Sequence, residues 1–115
     1  MIGKIALAFA AVLILGLVYL RFAAPRISGE EAQRKVREGA VLVDVRSNEE
    51  YDGGHLDGAL NIPIRELGDR MTEVGGTDRE VVVYCASGTR SAIAKQMLES
   101  EGYEHVHDLG GMNRW

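Results

Sequence analysis

The chain has 115 residues, of which 46% are hydrophobic and 26% are charged, a length and balance that suit one small domain. All 17 acidic residues and 11 of the 13 basic ones follow residue 24, so this part of the chain carries a formal charge of about −6. Such an acidic balance excludes the basic surface with which proteins bind nucleic acid.

The first predicted element is an apolar helix, with no charged residue from Ile5 to Leu20. At about 1.5 Å per residue it spans roughly 24 Å, and Lys4 and Arg21 can snorkel to the two surfaces of a bilayer. The segment is long for a cleaved signal peptide and lacks the polar stripe of a core helix, the two alternatives. We therefore expect residues 1–24 to form a membrane anchor, with a transmembrane helix over about residues 5–22.

The distribution of basic residues predicts the orientation of this anchor. Lys4 and the α-amine precede the apolar segment, whereas five basic residues follow it closely: Arg21, Arg26, Arg34, Lys35 and Arg37. Basic residues favour the cytoplasmic side of a membrane, and a single cysteine fits a reducing compartment. We expect a single-pass protein of the bacterial inner membrane whose domain faces the cytoplasm.

Residues 25–115 alternate between helix and strand patterns. The predicted helices are "SGEEAQRKVREG", "SNEEY", "IRELGDRM" and "SAIAKQMLESEG"; the predicted strands are "AVLVDVR", "ALNIP", "EVVVYC" and "HVHDL", and "GGMNRW" begins a final turn or helix. Ser28 with Glu31, and Ser47 with Glu50, have the spacing of a capping box. Two of the strands are apolar on both faces, as in a buried parallel sheet. The pattern predicts an α/β domain with helices on both faces of a parallel sheet.

The single cysteine, Cys85, follows the strand "EVVVYC" and opens the loop "CASGTR". Ligand sites of parallel sheets lie at the carboxyl ends of the strands. Small residues let backbone N–H groups turn inward, and the next helix directs its N-terminal partial charge at the loop. Arg90 adds a guanidinium that can bind an oxyanion. The loop therefore predicts a thiolate nucleophile in an anion cradle, rather than a cysteine that merely fills the core.

The segments "VLVDVRSNEEYDGGHLDGALNIP", "VVVYCASGTRS" and "LGGMNRW" together resemble a single-domain rhodanese, a sulfurtransferase, from about residue 27 to residue 115. The loop has four residues between Cys85 and Arg90, whereas cysteine phosphatases, which share its parts, have five. The resemblance implies a rhodanese-like fold, with a five-stranded parallel sheet and helices on both sides, at residues 25–115.

The resemblance also implies a mechanism. Cys85 takes a sulfane sulfur from a small anion such as thiosulfate, or from a persulfide, and passes it to a thiol or cyanide. The substrate is bound by the rest of the loop, namely Ala86, Ser87, Gly88, Thr89 and Arg90. No cofactor or metal is implied.

Three further polar residues are expected to support the site. Asp44 and Arg46 lie on one face at the end of "VLVDVR", where we expect them to tie the strand to neighbouring loops, Arg46 through Glu50. His55 is expected to organise its loop by hydrogen bonding. His105 and His107 are not expected to bind metal, and Trp115 is expected in the core.

Two other functions remain open. The first is a membrane-tethered module that carries sulfur or docks on a membrane protein with little turnover of its own. The second is a phosphatase or an arsenate reductase, which the short loop disfavours. Assays with thiosulfate, an aryl phosphate and arsenate distinguish them.

Overall fold

The computed structural model describes residues 2–22 and 25–115. The elements in chain order are α1 (Ile2–Phe22), α2 (Gly29–Arg37), β1 (Val41–Asp44), α3 (Asn48–Asp52), β2 (Leu60–Asn61), α4 (Ile64–Arg70), a 3₁₀ turn (Met71–Val74), β3 (Glu80–Cys85), α5 (Thr89–Ser100), β4 (His105–Gly111) and a last 3₁₀ turn (Met112–Arg114). All four of the sequence-predicted strands and the helices between them are present.

Helix α1 is long and apolar enough to cross a membrane, and it lies near the N-terminus. None of the segment Ile2–Tyr19 is buried within the protein. The alternative of a core helix is therefore excluded, whereas a signal sequence would share these properties.

The sheet has the order β2-β1-β3-β4, and every pair of neighbours is parallel. The prediction of five strands is wrong, because the described residues form four. The segment before α2 runs beside the outer edge of β4 and makes one backbone bond to it, from Ile27 N to Asp108 O at 2.9 Å. Pro25 has no N–H to extend this pairing into a fifth strand.

Helices cover both faces of the sheet. On one face, α4 and α5 bury Leu67, Ala94 and Leu98 against alternate residues of β1 and β3. On the other face, α2 contributes Ala32, and Trp115 packs at the margin of the same cluster. Trp115 thus lies at the edge of the core, as expected.

The central strand β3 positions the candidate nucleophile. Its residues from Val81 to Cys85 are all fully buried, because both faces of the strand are covered. Cys85 is the last residue of the strand, and α5 begins four residues later at Thr89. The loop between them therefore lies at the carboxyl edge of the sheet, where its amides face the start of a helix.

Candidate active site

The thiol of Cys85 lies at the floor of this loop, with no exposed surface. The N–H of Gly88 donates to Sγ at 2.9 Å. The thiol in turn lies 3.6 Å from the hydroxyl of Ser91, which donates to the Gly88 carbonyl at 3.1 Å. A negative charge on Sγ would thus meet one backbone donor at once and a second donor if the Ser91 hydroxyl rotates.

Gly88 determines the shape of the loop. It is the residue before α5, its φ is +104°, and no side chain caps the helix there. Only glycine adopts this φ readily, and the conformation turns the Gly88 N–H toward the sulfur. An uncapped helix N-terminus has free N–H donors and a positive partial charge, which together suit an anion.

The remaining residues of the loop have exposed positions. Ala86, Ser87 and Thr89 are exposed, so they line the entrance rather than the floor. The structure therefore brings Cys85, Gly88 and the start of α5 together.

Arg90 is held by a carboxylate. Its guanidinium makes two hydrogen bonds to Glu50, of 2.6 and 3.0 Å. The bonds from Arg90, with that from the Ser47 backbone N–H, lower the pKa of Glu50 to about 2. The same pairing raises the pKa of Arg90. Near neutral pH the two side chains are an ion pair, and the Arg90 charge is largely offset.

Asp44 and Arg46 form a buried network beneath the site. Arg46 Nη2 donates to Asp44 Oδ2 at 2.8 Å, and the hydroxyl of Tyr84 donates to the same oxygen at 2.7 Å. The expected contact between Arg46 and Glu50 is wrong, since Glu50 binds Arg90 instead. The hydrogen bond to Asp44 raises the pKa of Arg46, while burial and the same carboxylate raise the pKa of Tyr84.

This network connects the ends of β1 and β3 to the loop after α3. Arg46 also donates to the carbonyl of Gly54 at 2.7 Å, and the Leu56 N–H donates to the Tyr84 hydroxyl at 3.1 Å. Its members therefore fix the backbone on which the site is built.

His55 lies in this loop and is exposed. Its ring stacks on Tyr51 with centroids 3.6 Å apart, and Nδ1 lies 2.9 Å from the Tyr51 carbonyl oxygen. Both contacts join this loop to α3. His105 and His107 lie on β4 at the opposite end of the sheet, where each faces Glu80.

A cleft of about 560 Å³ opens beside the loop. It is lined by residues that follow β1 and β2, together with Arg90: Val45, Ser47, Asn48, Glu49, Pro63, Ile64, Arg65 and Glu66. The cleft lies over the carboxyl ends of the strands and can admit a small anion or the end of a larger acceptor.

Sequence reasoning missed the contacts of four residues at the site. Ser91 was read as helix, although it directly follows the loop and contacts the thiol. Glu50 was expected in the capping box of α3, which it completes with Ser47, and in a contact with Arg46, but its bond to Arg90 was not predicted. Tyr84 was predicted only as a residue of a buried strand. Its position on β3 does not indicate that its hydroxyl bonds to Asp44, 40 residues away in the sequence. Arg26, which served above only to predict the orientation of the anchor, lies against Gly88.

The chain matches the family model of the rhodanese-like domain over residues 28–115. It is 37% identical over 109 residues to the uncharacterized protein YqhL of Bacillus subtilis, which covers 94% of this chain and 85% of that protein. It is 42% identical over 71 residues to the thiosulfate sulfurtransferase PspE of Escherichia coli, covering 61% of this chain and 68% of the relative.

A solved structure described as a rhodanese with anions, from E. coli, superposes with a TM-score of 0.64. The two chains are 37% identical, and the match covers 67% of this chain and 92% of the other. On this evidence the chain belongs to the rhodanese-like domain family.

Proposed function

We propose that the protein is a sulfurtransferase that carries a sulfane sulfur as a persulfide on Cys85. The observation that carries the proposal is the position of Sγ, 2.9 Å from the Gly88 N–H at the mouth of an uncapped helix. A thiolate at this position would accept a hydrogen bond from that N–H, and the thiolate is the nucleophilic form of cysteine. The similarity to a thiosulfate sulfurtransferase supports the same chemistry.

In the first step, the Cys85 thiolate attacks the outer sulfur of thiosulfate. A new S–S bond forms at Cys85, and the S–S bond of thiosulfate breaks, with its electron pair leaving on sulfite. The three negative charges of the reactants are conserved in the persulfide anion and the sulfite dianion. The Gly88 N–H stays on Sγ, while the partial charge of α5 stabilises the new terminal sulfur.

In the second step, the acceptor attacks the outer sulfur of the persulfide. Cyanide leaves as thiocyanate, and a thiolate leaves as a persulfide, with the Cys85 thiolate restored in both cases. The acceptor docks in the cleft beside Arg90, next to the loop that covers this sulfur.

The surrounding residues hold the loop in place. Asp44 and Arg46 anchor the end of β1, His55 orders the loop after α3, and the ion pair between Glu50 and Arg90 joins α3 to the start of α5. Ala86, Ser87 and Thr89 contribute backbone and small side chains at the entrance.

Helix α1 tethers this domain to a membrane, with the domain on the cytoplasmic side. The length of α1 and the exposure of its apolar side chains support a span rather than a packed helix. The basic residues that follow α1 support the orientation.

A second candidate is a tethered module that carries sulfur to a membrane protein, or docks on one, with little turnover. The complete burial of Cys85 favours it, because a bulky acceptor reaches Sγ only if the loop moves. Phosphatase or arsenate reductase activity is disfavoured, because the loop has four residues between Cys85 and Arg90, one fewer than in cysteine phosphatases.

The test is a steady-state assay of the full chain in detergent with thiosulfate and cyanide, run beside assays with an aryl phosphate and with arsenate. We expect thiocyanate formation only, and its loss in Cys85→Ser. Ser100→Ala is the matched control, because Ser100 is exposed and bonds only to the Gln96 carbonyl at the far end of α5. Turnover retained by Cys85→Ser, or hydrolysis of the phosphate, would contradict the proposal.

A further inference from the structure

Arg90 does not present a free positive charge to an anionic sulfur donor in this structure. Both Nη atoms of Arg90 point at the Glu50 carboxylate. A dianion such as thiosulfate would have to compete with that carboxylate for the same guanidinium. Another cation beside the loop is therefore needed to offset the charge of the donor.

Arg26, in the segment between α1 and α2, lies against the loop. A Cβ added to Gly88 would lie 2.7 Å from Cζ of Arg26, and one added to Gly110 would lie 2.8 Å from Cδ. The guanidinium therefore lies on Gly88 while the methylene stem crosses Gly110. The absence of side chains at these two positions gives Arg26 its place.

The backbone next to Arg26 is fixed by the fold. Ile27 N donates to Asp108 O at 2.9 Å, and Arg114 Nη2 donates to Ile27 O at 3.1 Å. Arg26 is thus presented at the carboxyl edge of β4, next to the end of β3. Its proximity to the loop follows from this register and not from the freedom of a surface side chain alone.

Distances through Gly88 place the guanidinium close to the sulfur. The Gly88 N–H lies 2.9 Å from Sγ, and Cζ lies 2.7 Å from the Cβ position of the same residue. With two intervening bonds of about 1.5 Å, Cζ lies at most about 9 Å from Sγ. The oxyanion end of a donor whose outer sulfur meets Sγ extends across part of this distance.

The charge of Arg26 is not offset by a partner. Among residues 2–22 and 25–115, no carboxylate oxygen lies within 4.0 Å of its guanidinium, in contrast to Arg90. Its neighbour Arg114 is also cationic, and it donates to the backbone carbonyls of Leu109 and Ile27. Two guanidinium groups therefore lie on this side of the loop.

We propose that Arg26 is a donor-binding residue, which attracts and holds the oxyanion end of the sulfur donor while its outer sulfur meets Cys85. This inference rests on the proposed sulfur transfer and adds a specificity: the domain prefers donors of higher negative charge. It also connects the segment that follows α1 to the reactive loop.

The test compares Arg26→Gln with Arg37→Gln, which removes the same charge from the exposed end of α2. In the full chain in detergent, we expect Arg26→Gln to raise the KM for thiosulfate about 5- to 30-fold with kcat within about twofold, as for a loss of uniform binding of a charged substrate. A singly charged alkyl thiosulfonate donor has half the charge of thiosulfate, so the electrostatic free energy lost is about half. The fold-rise in its KM should therefore be about the square root of the rise for thiosulfate. Arg26→Lys keeps the positive charge, so its KM for thiosulfate should stay close to that of the wild type. Equal KM values for Arg26→Gln and Arg37→Gln would overturn the inference.

A binding measurement separates this inference from the proposed function. Sulfite is titrated calorimetrically into the full chain carrying Cys85→Ser, with and without Arg26→Gln. Weaker binding in the double variant supports the role of Arg26 even if the wild type transfers no sulfur, in which case the proposed function alone fails. Equal binding, with turnover present in the wild type, overturns the role of Arg26 alone.

Discussion

Gly88→Ala tests the architecture of the loop directly. The substitution places a Cβ on a residue with φ of +104°, where an L-residue costs about 1–2 kcal/mol. The added atom also meets Arg26, although a flexible side chain can move away at small cost. For a domain of this size, the loss corresponds to a fall in melting temperature of about 4–16 °C.

Gly88→Ala should also lower kcat/KM for sulfur transfer, beyond its effect on the free energy of unfolding. If the strained loop no longer directs the Gly88 N–H at Sγ, one donor to the charged sulfur is lost. Such a bond contributes about 1.5–3 kcal/mol, which is about 13- to 160-fold in kcat/KM.

Gly102→Ala is a matched control. Gly102 has φ of +94°, and an added Cβ there meets only the Thr77 methyl at 3.8 Å. Both variants should lose similar stability in a thermal melt, while only Gly88→Ala loses sulfur transfer in the thiosulfate assay. An equal loss of transfer in the two variants, or a Gly88→Ala variant as active as the wild type, would refute the reasoning.

Three further outcomes are expected. Tyr84→Phe removes the hydroxyl that donates to the buried Asp44 and accepts from Leu56, so urea denaturation should show a loss of about 1–3 kcal/mol; an unchanged midpoint would contradict the network. Because the pKa of Glu50 falls from 4.5 unfolded to about 2 folded, its pairing with Arg90 stabilises fully above pH 4.5 and is lost as the pH falls toward 2. The melting temperatures of wild type and Glu50→Gln should therefore differ near neutral pH and converge over that range; a constant difference would count against the pairing. Finally, the chain should stay with membranes through an alkaline carbonate wash, and a form without α1 should be released.

Much of the domain could be predicted from local pattern. The strands "VLVD" and "EVVVYC" are apolar on both faces, and the capping box of Ser47 and Glu50 is complete in the structure. Both signals are carried by residues near each other in sequence, as is the loop from Cys85. Such features depend on neighbours that a sequence displays directly.

The features that could not be predicted depend on register between distant segments. Glu50 and Arg90 are 40 residues apart, so their pairing follows only from how α3 and α5 meet. The contact of Arg26 with Gly88 likewise depends on the pairing of Ile27 with β4. The fifth strand was expected from the family resemblance alone, and no strand pattern in the sequence supported it.

The most direct test of the central claim is the intact mass of the full chain before and after thiosulfate. The account predicts a gain of one sulfur, about 32 Da, which is removed by a reductant and is absent in Cys85→Ser. A folded wild-type chain that gains no sulfur from thiosulfate, or a Cys85→Ser chain that gains it equally, would contradict a persulfide on Cys85.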